Sequence, residues 1–195
     1  MNYKYAKGPT YARYWCSQLW EGEQYFLQID SHTTFSKDWD SKLIQMITNL
    51  KNNVQNQKVI ISHYPPNYDD RGKTNKVTSI TNCNVQTSGI ISLNGAYYRD
   101  KEKLPTRNAF VTGGFVFTTG NWLQEVPFDP SLDYLFIGEE ILLSARSYTK
   151  GWDVYTPNDN IVYHKYTRKD DDKIWDDIKY SSKQAEMKTK LLLKL

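Results

Sequence analysis

Asp30 and His32 are the residues whose types and spacing most directly indicate chemistry. They follow residues 26–29, a mainly apolar run that predicts a buried or half-buried strand. In an extended backbone, positions i and i+2 point to the same side of the strand. A carboxylate and an imidazole at this spacing could therefore hold one divalent metal ion. A turn-forming Asp followed by a solvated His at a strand end would explain the same residues without a metal.

The composition is that of a soluble globular domain. The chain has 195 residues, 39% hydrophobic and 24% charged, which suffices for one domain with a sizeable core. Its formal net charge of +3 is too small to predict binding to nucleic acid. No long apolar run predicts a membrane segment. The two cysteines, Cys16 and Cys83, form no metal or redox motif, and so few thiols are compatible with a reducing compartment.

Two helices flank the strand before Asp30 in the predicted order of elements. The first begins at Gly8-Pro9, where the missing N–H of proline is harmless, and ends at Gly22. Its predicted buried face consists of Ala12, Trp15, Cys16 and Leu19. Arg13 lies off this face and is available to contact a ligand. The second helix follows a cap signal at residues 36–38. Its apolar face consists of Leu43, Ile44, Ile47 and Leu50.

The rest of the chain predicts strands and one further helix. The predicted strands occupy residues 59–64, 89–93, 109–118, 135–137, 151–157 and 161–164. Gly113 and Gly114 lie inside one of them and indicate a β-bulge or a close approach by a ligand or another backbone. Glu139 and Glu140 begin a helix. Its predicted inner side consists of Ile141, Leu142, Ala145 and Tyr148. The chain divides into a folded domain, residues 1–168, and a charged C-terminal helix or tail, residues 169–195.

Several separated motifs resemble one family in their order along the chain. The motif residues are Gly8-Pro9, residues 12–14, Gly22-Glu23, residues 27–32, Trp39-Asp40, residues 113–117, 125–127, Asp129-Pro130, residues 136–140, Ala145-Arg146, Tyr148-Thr149, residues 151–153, Pro157, His164, Tyr166 and Arg168. Together they resemble the cytoplasmic Skp1-type protein N-acetylglucosaminyltransferases, which modify hydroxyproline. A looser similarity extends to the mucin-type polypeptide N-acetylgalactosaminyltransferases, which also use Asp-x-His and a distant third His.

The resemblance implies a fold, a reaction and a metal. The fold would be GT-A, a Rossmann-like mixed α/β sheet flanked by helices, with residues 1–168 as the catalytic domain. The reaction would transfer N-acetylglucosamine from UDP-GlcNAc, with retention, to a protein or glycan acceptor; a protein acceptor would offer a hydroxyproline or Ser/Thr hydroxyl. Asp30, His32 and His164 would bind the metal. Mn²⁺ is expected, because imidazole ligands suit it better than Mg²⁺. A cytoplasmic location follows from the same resemblance.

The resemblance also implies donor contacts. Asp30 would bind the donor through the metal, and Arg13 would add charge neutralisation on the diphosphate. A surface salt bridge is the alternative role for Arg13. Gly113 and Gly114 would let the donor sugar lie against the backbone, and a simple bulge is the alternative.

Glu139 and Glu140 are the candidate catalytic residues. One of them would hydrogen bond to donor-sugar hydroxyls or to the acceptor near the anomeric carbon. Their place at a helix start, where carboxylates favour the helix dipole, is the structural alternative. We name no nucleophile, because a front-face mechanism is usually proposed for retaining enzymes of this type. His63, at a strand end before two prolines, is interpreted as structural or acceptor-side.

The start of the chain departs from the family pattern. Family members place a uridine-binding strand well upstream of Asp-x-His, whereas Met1 here comes only a few residues before the helix with Arg13. We therefore expect the first nucleotide-binding strand to be missing, base recognition to be weak, and an exposed sheet edge to favour self-association. Two other functions stay open: a non-catalytic carbohydrate- or protein-binding remnant of the fold, and a metal-dependent hydrolase with the same three ligands.

Overall fold

A mixed five-stranded sheet forms the centre of the computed structural model, which describes residues 5–167 and 182–193. The helices are α1 (Pro9–Ser17), α2 (Trp39–Asn53), α3 (Trp122–Glu125), α4 (Glu139–Thr149) and α5 (Ser182–Leu193). The strands are β1 (Tyr25–Ile29), β2 (Thr33–Phe35), β3 (Val59–Ser62), β4 (Lys76–Val85), β5 (Ile91–Asp100), β6 (Thr106–Asn108), β7 (Phe115–Thr119), β8 (Asp153–Thr156) and β9 (Val162–His164). The sheet order is β1-β7-β3-β8-β6, with β3 and β8 parallel and the other pairs antiparallel. This confirms the predicted mixed α/β architecture.

Helices cover both faces of this sheet. On one face, α2 packs Leu43 and Ile47 against a cluster that contains Ile61 of β3. On the other face, Ile60 of β3 belongs to a cluster with Trp122 of α3 and with α4. Successive strand residues point to opposite faces, so the continuous apolar run of β3 serves both cores.

Two small antiparallel ribbons complete the fold. In the first, β2 pairs with β9 and places Thr33 opposite His164. This pairing brings the end of β9 close to the end of β1. In the second, β4 and β5 form a long ribbon apart from the central sheet. Its connecting turn includes Gly89, whose φ of +81° favours glycine.

The buried side of α1 differs from the predicted one. The four residues expected in the core are exposed: Ala12, Trp15, Cys16 and Leu19. Thr10 is buried instead, and Arg13 also turns toward the protein. The helix ends at Ser17, before the predicted end at Gly22. Apolar periodicity failed here because the inward side is set by a buried ion pair, described below.

Residues 135–137 do not form the predicted strand. Leu135 is buried with other leucines, but Phe136 is 56% and Ile137 41% exposed. In the part of the chain described, no strand pairs with this segment. The buried side of α4 also differs from the predicted one, since Tyr148 is 76% exposed. Its buried residues are Glu139, Leu142, Leu143, Ser144 and Ser147.

The C-terminal helix α5 packs against the domain. Leu193 contacts the cluster formed by Leu132, Leu135 and Leu142, and Thr189 is fully buried. Residues 168–181, which include Arg168 and the first part of the predicted tail, lie outside the described residues. No helix in the described ranges combines the length and the apolarity that crossing a membrane requires.

Candidate functional site

A cavity of about 390 Å³ lies beside the carboxyl end of β1. Its lining comes from α1, the residue after β1, the turn before β7, the start of α4 and the β4–β5 ribbon. Six residues singled out from the sequence line it: Arg13, Asp30, Gly113, Gly114, Glu139 and Glu140. Two of them, Arg13 and Glu139, are 126 positions apart in the chain. The fold thus brings together side chains that the sequence scatters over most of the domain.

Arg13 connects three sides of this cavity. Its guanidinium donates to the Glu139 carboxylate, to Asp30 Oδ1 at 3.2 Å and to the Gly113 carbonyl oxygen at 2.8 Å. The Arg13 side chain is 15% exposed and that of Glu139 only 5%. Burial alone would lower the pKa of Arg13, but the charges of Glu139 and Asp30 outweigh it and raise the pKa. Arg13 is therefore a permanently charged, largely desolvated cation.

Gly113 and Gly114 precede β7 and do not interrupt it. A Cβ atom on Gly113 would lie 3.1 Å from Arg13 Nη1, and one on Gly114 would lie 3.1 Å from Asp30 Oδ2. The predicted close approach to these glycines is therefore made by two charged side chains. The Gly113 carbonyl also accepts a hydrogen bond from Gln28 Nε2 at 2.7 Å, which fixes the turn against β1.

The two glutamates at the start of α4 have different surroundings. Glu140 uses both oxygens: Oε1 accepts from the Gly113 N–H at 2.7 Å and Oε2 accepts from the Tyr64 hydroxyl at 2.5 Å. Burial raises the pKa of Glu140, and these two hydrogen bonds oppose the rise. Glu139 pairs with Arg13 through Oε2, while its Oε1 is buried without a hydrogen-bond partner among the described residues. Since an unmade buried hydrogen bond is costly, Glu139 is the glutamate suited to accept one from a ligand.

Of the three residues predicted to bind metal, Asp30 and His164 approach each other and His32 lies nearby. The β2–β9 pairing places His164 Nε2 3.6 Å from Asp30 Oδ2. The rings of His32 and His164 are 6.4 Å apart, and His32 Nδ1 is 2.9 Å from Ser31 Oγ. Within residues 5–167 and 182–193, no three His, Cys, Asp or Glu side chains form a group that could hold a metal ion. The donor types, one carboxylate and two imidazoles, fit Mn²⁺ chemically, and Asp30 with His164 is the adjacent pair.

Two tyrosines at the site carried no assigned role in the sequence. Tyr64 lines the cavity and donates to Glu140, and burial raises its pKa, so it stays protonated. Tyr166 also lines the cavity and donates to the Pro65 carbonyl at 2.7 Å, and its ring centre lies 4.4 Å from that of His164 with the ring planes inclined at 55°. Their hydrogen-bond partners are distant in sequence, so a role could not be assigned from local patterns, although Tyr166 was one of the motif residues of the resemblance.

His63 lies outside the cavity lining and is fully buried. Its Nδ1 is 2.9 Å from Thr78 Oγ1, and its ring packs edge-on to Phe115. Burial lowers the pKa of His63 to about 4. The imidazole is therefore neutral near pH 7 and joins the end of β3 to the β4–β5 ribbon, which supports its structural interpretation.

Comparisons with known proteins agree with this architecture. A family model described as Glycosyltransferase (GlcNAc) matches residues 1–194. No curated protein sequence matches the chain significantly. Among solved structures, the chain is similar to one described as the crystal structure of GalNAc-T7 with UDP, GalNAc and Mn²⁺, with a TM-score of 0.57 and 15% sequence identity. The match covers 84% of this chain and 31% of that one. It shows a GT-A fold and confirms the expected fold class.

Proposed function

The chain belongs to the Glycosyltransferase (GlcNAc) family, and from this premise we propose that it transfers N-acetylglucosamine from UDP-GlcNAc to a protein acceptor. The acceptor group is a hydroxyproline or Ser/Thr hydroxyl, and the reaction retains the anomeric configuration. The observation that carries the proposal is the convergence of six residues with predicted donor or catalytic roles on one cavity. These residues come from α1, the end of β1, the turn before β7 and the start of α4.

In this proposal Arg13 binds the donor diphosphate. The contacts with Glu139, Asp30 and Gly113 engage three of the five N–H groups that a guanidinium offers. The remaining N–H groups are those assigned to phosphate. A largely desolvated cation attracts phosphate more strongly than an exposed one, because water screens it less.

Asp30, His32 and His164 are the residues that would hold Mn²⁺. The ion supplies charge neutralisation of the diphosphate as it leaves. Support comes from the 3.6 Å approach of Asp30 to His164 and from the carboxylate and imidazole donors.

The two glutamates then have separate tasks. Glu139, whose buried Oε1 has no hydrogen-bond partner among the described residues, accepts hydrogen bonds from donor-sugar hydroxyls. Glu140, with both oxygens engaged, is a positioning residue that holds the Gly113 turn and Tyr64 in place. We assign no enzymic nucleophile: in a front-face reaction the departing phosphate takes the acceptor proton.

The proposal is tested by incubating the protein with UDP-GlcNAc, Mn²⁺ and a hydroxyl-bearing peptide, and following UDP release and the product by NMR. We expect an α-linked product and a loss of at least tenfold in kcat/KM for Glu139→Gln, with Glu21→Gln as an exposed control. A β-linked product refutes retention. Preference for another sugar nucleotide removes the GlcNAc assignment and leaves the fold unaffected. Binding of UDP-GlcNAc without any turnover would favour a non-catalytic binding module.

A further inference from the structure

The cavity has two chemically different walls. The charged groups described above, Arg13, Asp30 and the two glutamates, lie on one of them. We call the other the apolar wall and define it as Ile91 and Leu93 of β5 with Phe136 and Ile137 of the segment before α4. The neighbouring lining residues are Gln86 of the β4–β5 turn, Ser92 and Gly138, so among the described residues this side carries no charged side chain.

Two of the four residues of the apolar wall, Phe136 and Ile137, are exposed, whereas Leu93 is buried. Leu135 turns into the core, and the next two residues, Phe136 and Ile137, keep 56% and 41% of their surface exposed. Exposing such side chains to water is unfavourable. Exposed apolar surface that borders a cavity commonly marks a binding site.

The polar groups beside the apolar wall are engaged with each other. Gln86 Nε2 donates to Ser92 Oγ at 2.6 Å, and Ser92 Oγ donates to the Asn84 carbonyl. A glycan placed here would give up hydrogen bonds to water at several hydroxyls and regain few of them. An aliphatic or aromatic side chain would lose no hydrogen bonds and would bury apolar surface.

We propose that the apolar wall is the acceptor subsite and binds an apolar side chain of a polypeptide, adjacent to the residue whose hydroxyl is glycosylated. The proposal rests on the proposed function, because donor and acceptor must meet in one cavity. The charged residues of the cavity further restrict which peptides can bind. Three carboxylates, Asp30, Glu139 and Glu140, and only one cation, Arg13, are the charged side chains among the described lining residues, so an acidic neighbour in the peptide is disfavoured.

The experiment compares three peptides that differ only beside the acceptor hydroxyl, where they carry Leu, Ser or Asp. We expect the Leu peptide to have a kcat/KM about tenfold above the Ser peptide, with the Asp peptide lowest; tenfold corresponds to about 1.4 kcal/mol. In the Phe136→Ser and Ile137→Ser variants, the kcat/KM for the Leu peptide divided by that for the Ser peptide should fall toward one. Tyr148→Ser, which replaces an exposed aromatic side chain outside the lining of this cavity, is the control and should keep the wild-type ratio.

Peptide binding measured by calorimetry separates this proposal from the proposed function. If no UDP-sugar is turned over, the proposed function is wrong. The affinity for the Leu peptide relative to the Ser peptide would still decide the role of the apolar wall. If the wild-type protein binds the Leu peptide more tightly than the Ser peptide and Phe136→Ser does not, the result supports the apolar wall as the acceptor subsite. Equal binding of the three peptides, or transfer to a free oligosaccharide as efficient as to the Leu peptide, overturns it.

Discussion

Replacing Arg13 by Met should destabilise the protein strongly, because it leaves the buried carboxylate of Glu139 without its ion-pair partner. Arg13 is the described ion-pair partner of Glu139, whose side chain is 5% exposed. Removing one member of such a buried pair costs about 3–5 kcal/mol, mostly through the charge left behind. The contact with Asp30 adds little, since the Asp30 side chain is 42% exposed and water screens it. We therefore expect Arg13→Met to lower the free energy of unfolding by about 3 kcal/mol.

The assay is urea unfolding at pH 7, followed by tryptophan fluorescence. Arg13→Met/Glu139→Gln should recover most of the loss, because the double variant no longer buries an unpaired charge. Lys7→Met is the control, since it breaks an exposed pair with Asp133 at 3.5 Å and should cost less than about 1 kcal/mol. A loss for Arg13→Met as small as that of the control, or a double variant no more stable than the single one, would refute the reasoning.

Three further predictions concern stability. Since the pKa of His63 is about 4 in the folded protein and about 6.5 when unfolded, the unfolded chain binds the extra proton between these values. Unfolding free energy should thus fall by about 2 kcal/mol from pH 7 to pH 5, and a His63→Phe variant with the same pH dependence would disprove this origin. Gly120→Ala should be far less stable than Gly72→Ala. Its Cβ would lie 2.2 Å from the Glu23 carbonyl oxygen, whereas Gly72 has open space and only a φ of +73° to oppose it; equal melting temperatures would contradict this. Tyr64→Phe removes a hydrogen bond from half-buried Glu140 and should cost about 1–3 kcal/mol in urea unfolding, an expectation that an unchanged midpoint would rule out.

The strand before Asp30 was predictable because its signal is local. A short apolar run that ends in Asp-x-His describes β1 and the residues after it almost as the structure has them. Similar local patterns predicted strands near β3, β7 and β8, whereas the mixed sheet was implied by the family resemblance. Even so, it is the pairing of β9 with distant segments, β2 among them, that brings His164 to Asp30, and pairing between distant segments has no signature in either one.

The inward side of α1 was not predictable, because its determinant is distant. Periodicity favoured Trp15 and Leu19 as core residues, yet Arg13 faces inward since its charge meets that of Glu139, 126 positions later. A single sequence shows that both residues are charged, but it does not show that they are in contact in the folded protein. The segment of Phe136 and Ile137 failed for a related reason: its apolar residues suit a strand, but a strand requires a neighbour to pair with.

Thermal unfolding with UDP-GlcNAc and Mn²⁺ tests the central claim most directly. A ligand present at 100 times its Kd adds about 2.7 kcal/mol, which for a domain of this size raises Tm by roughly 5–11 °C. We predict a rise of this order for the wild-type protein with both ligands together, and a much smaller rise for Asp30→Ala when each protein is compared with its own ligand-free Tm. No rise with any UDP-sugar and Mn²⁺, or an equal rise in Asp30→Ala, would contradict the account.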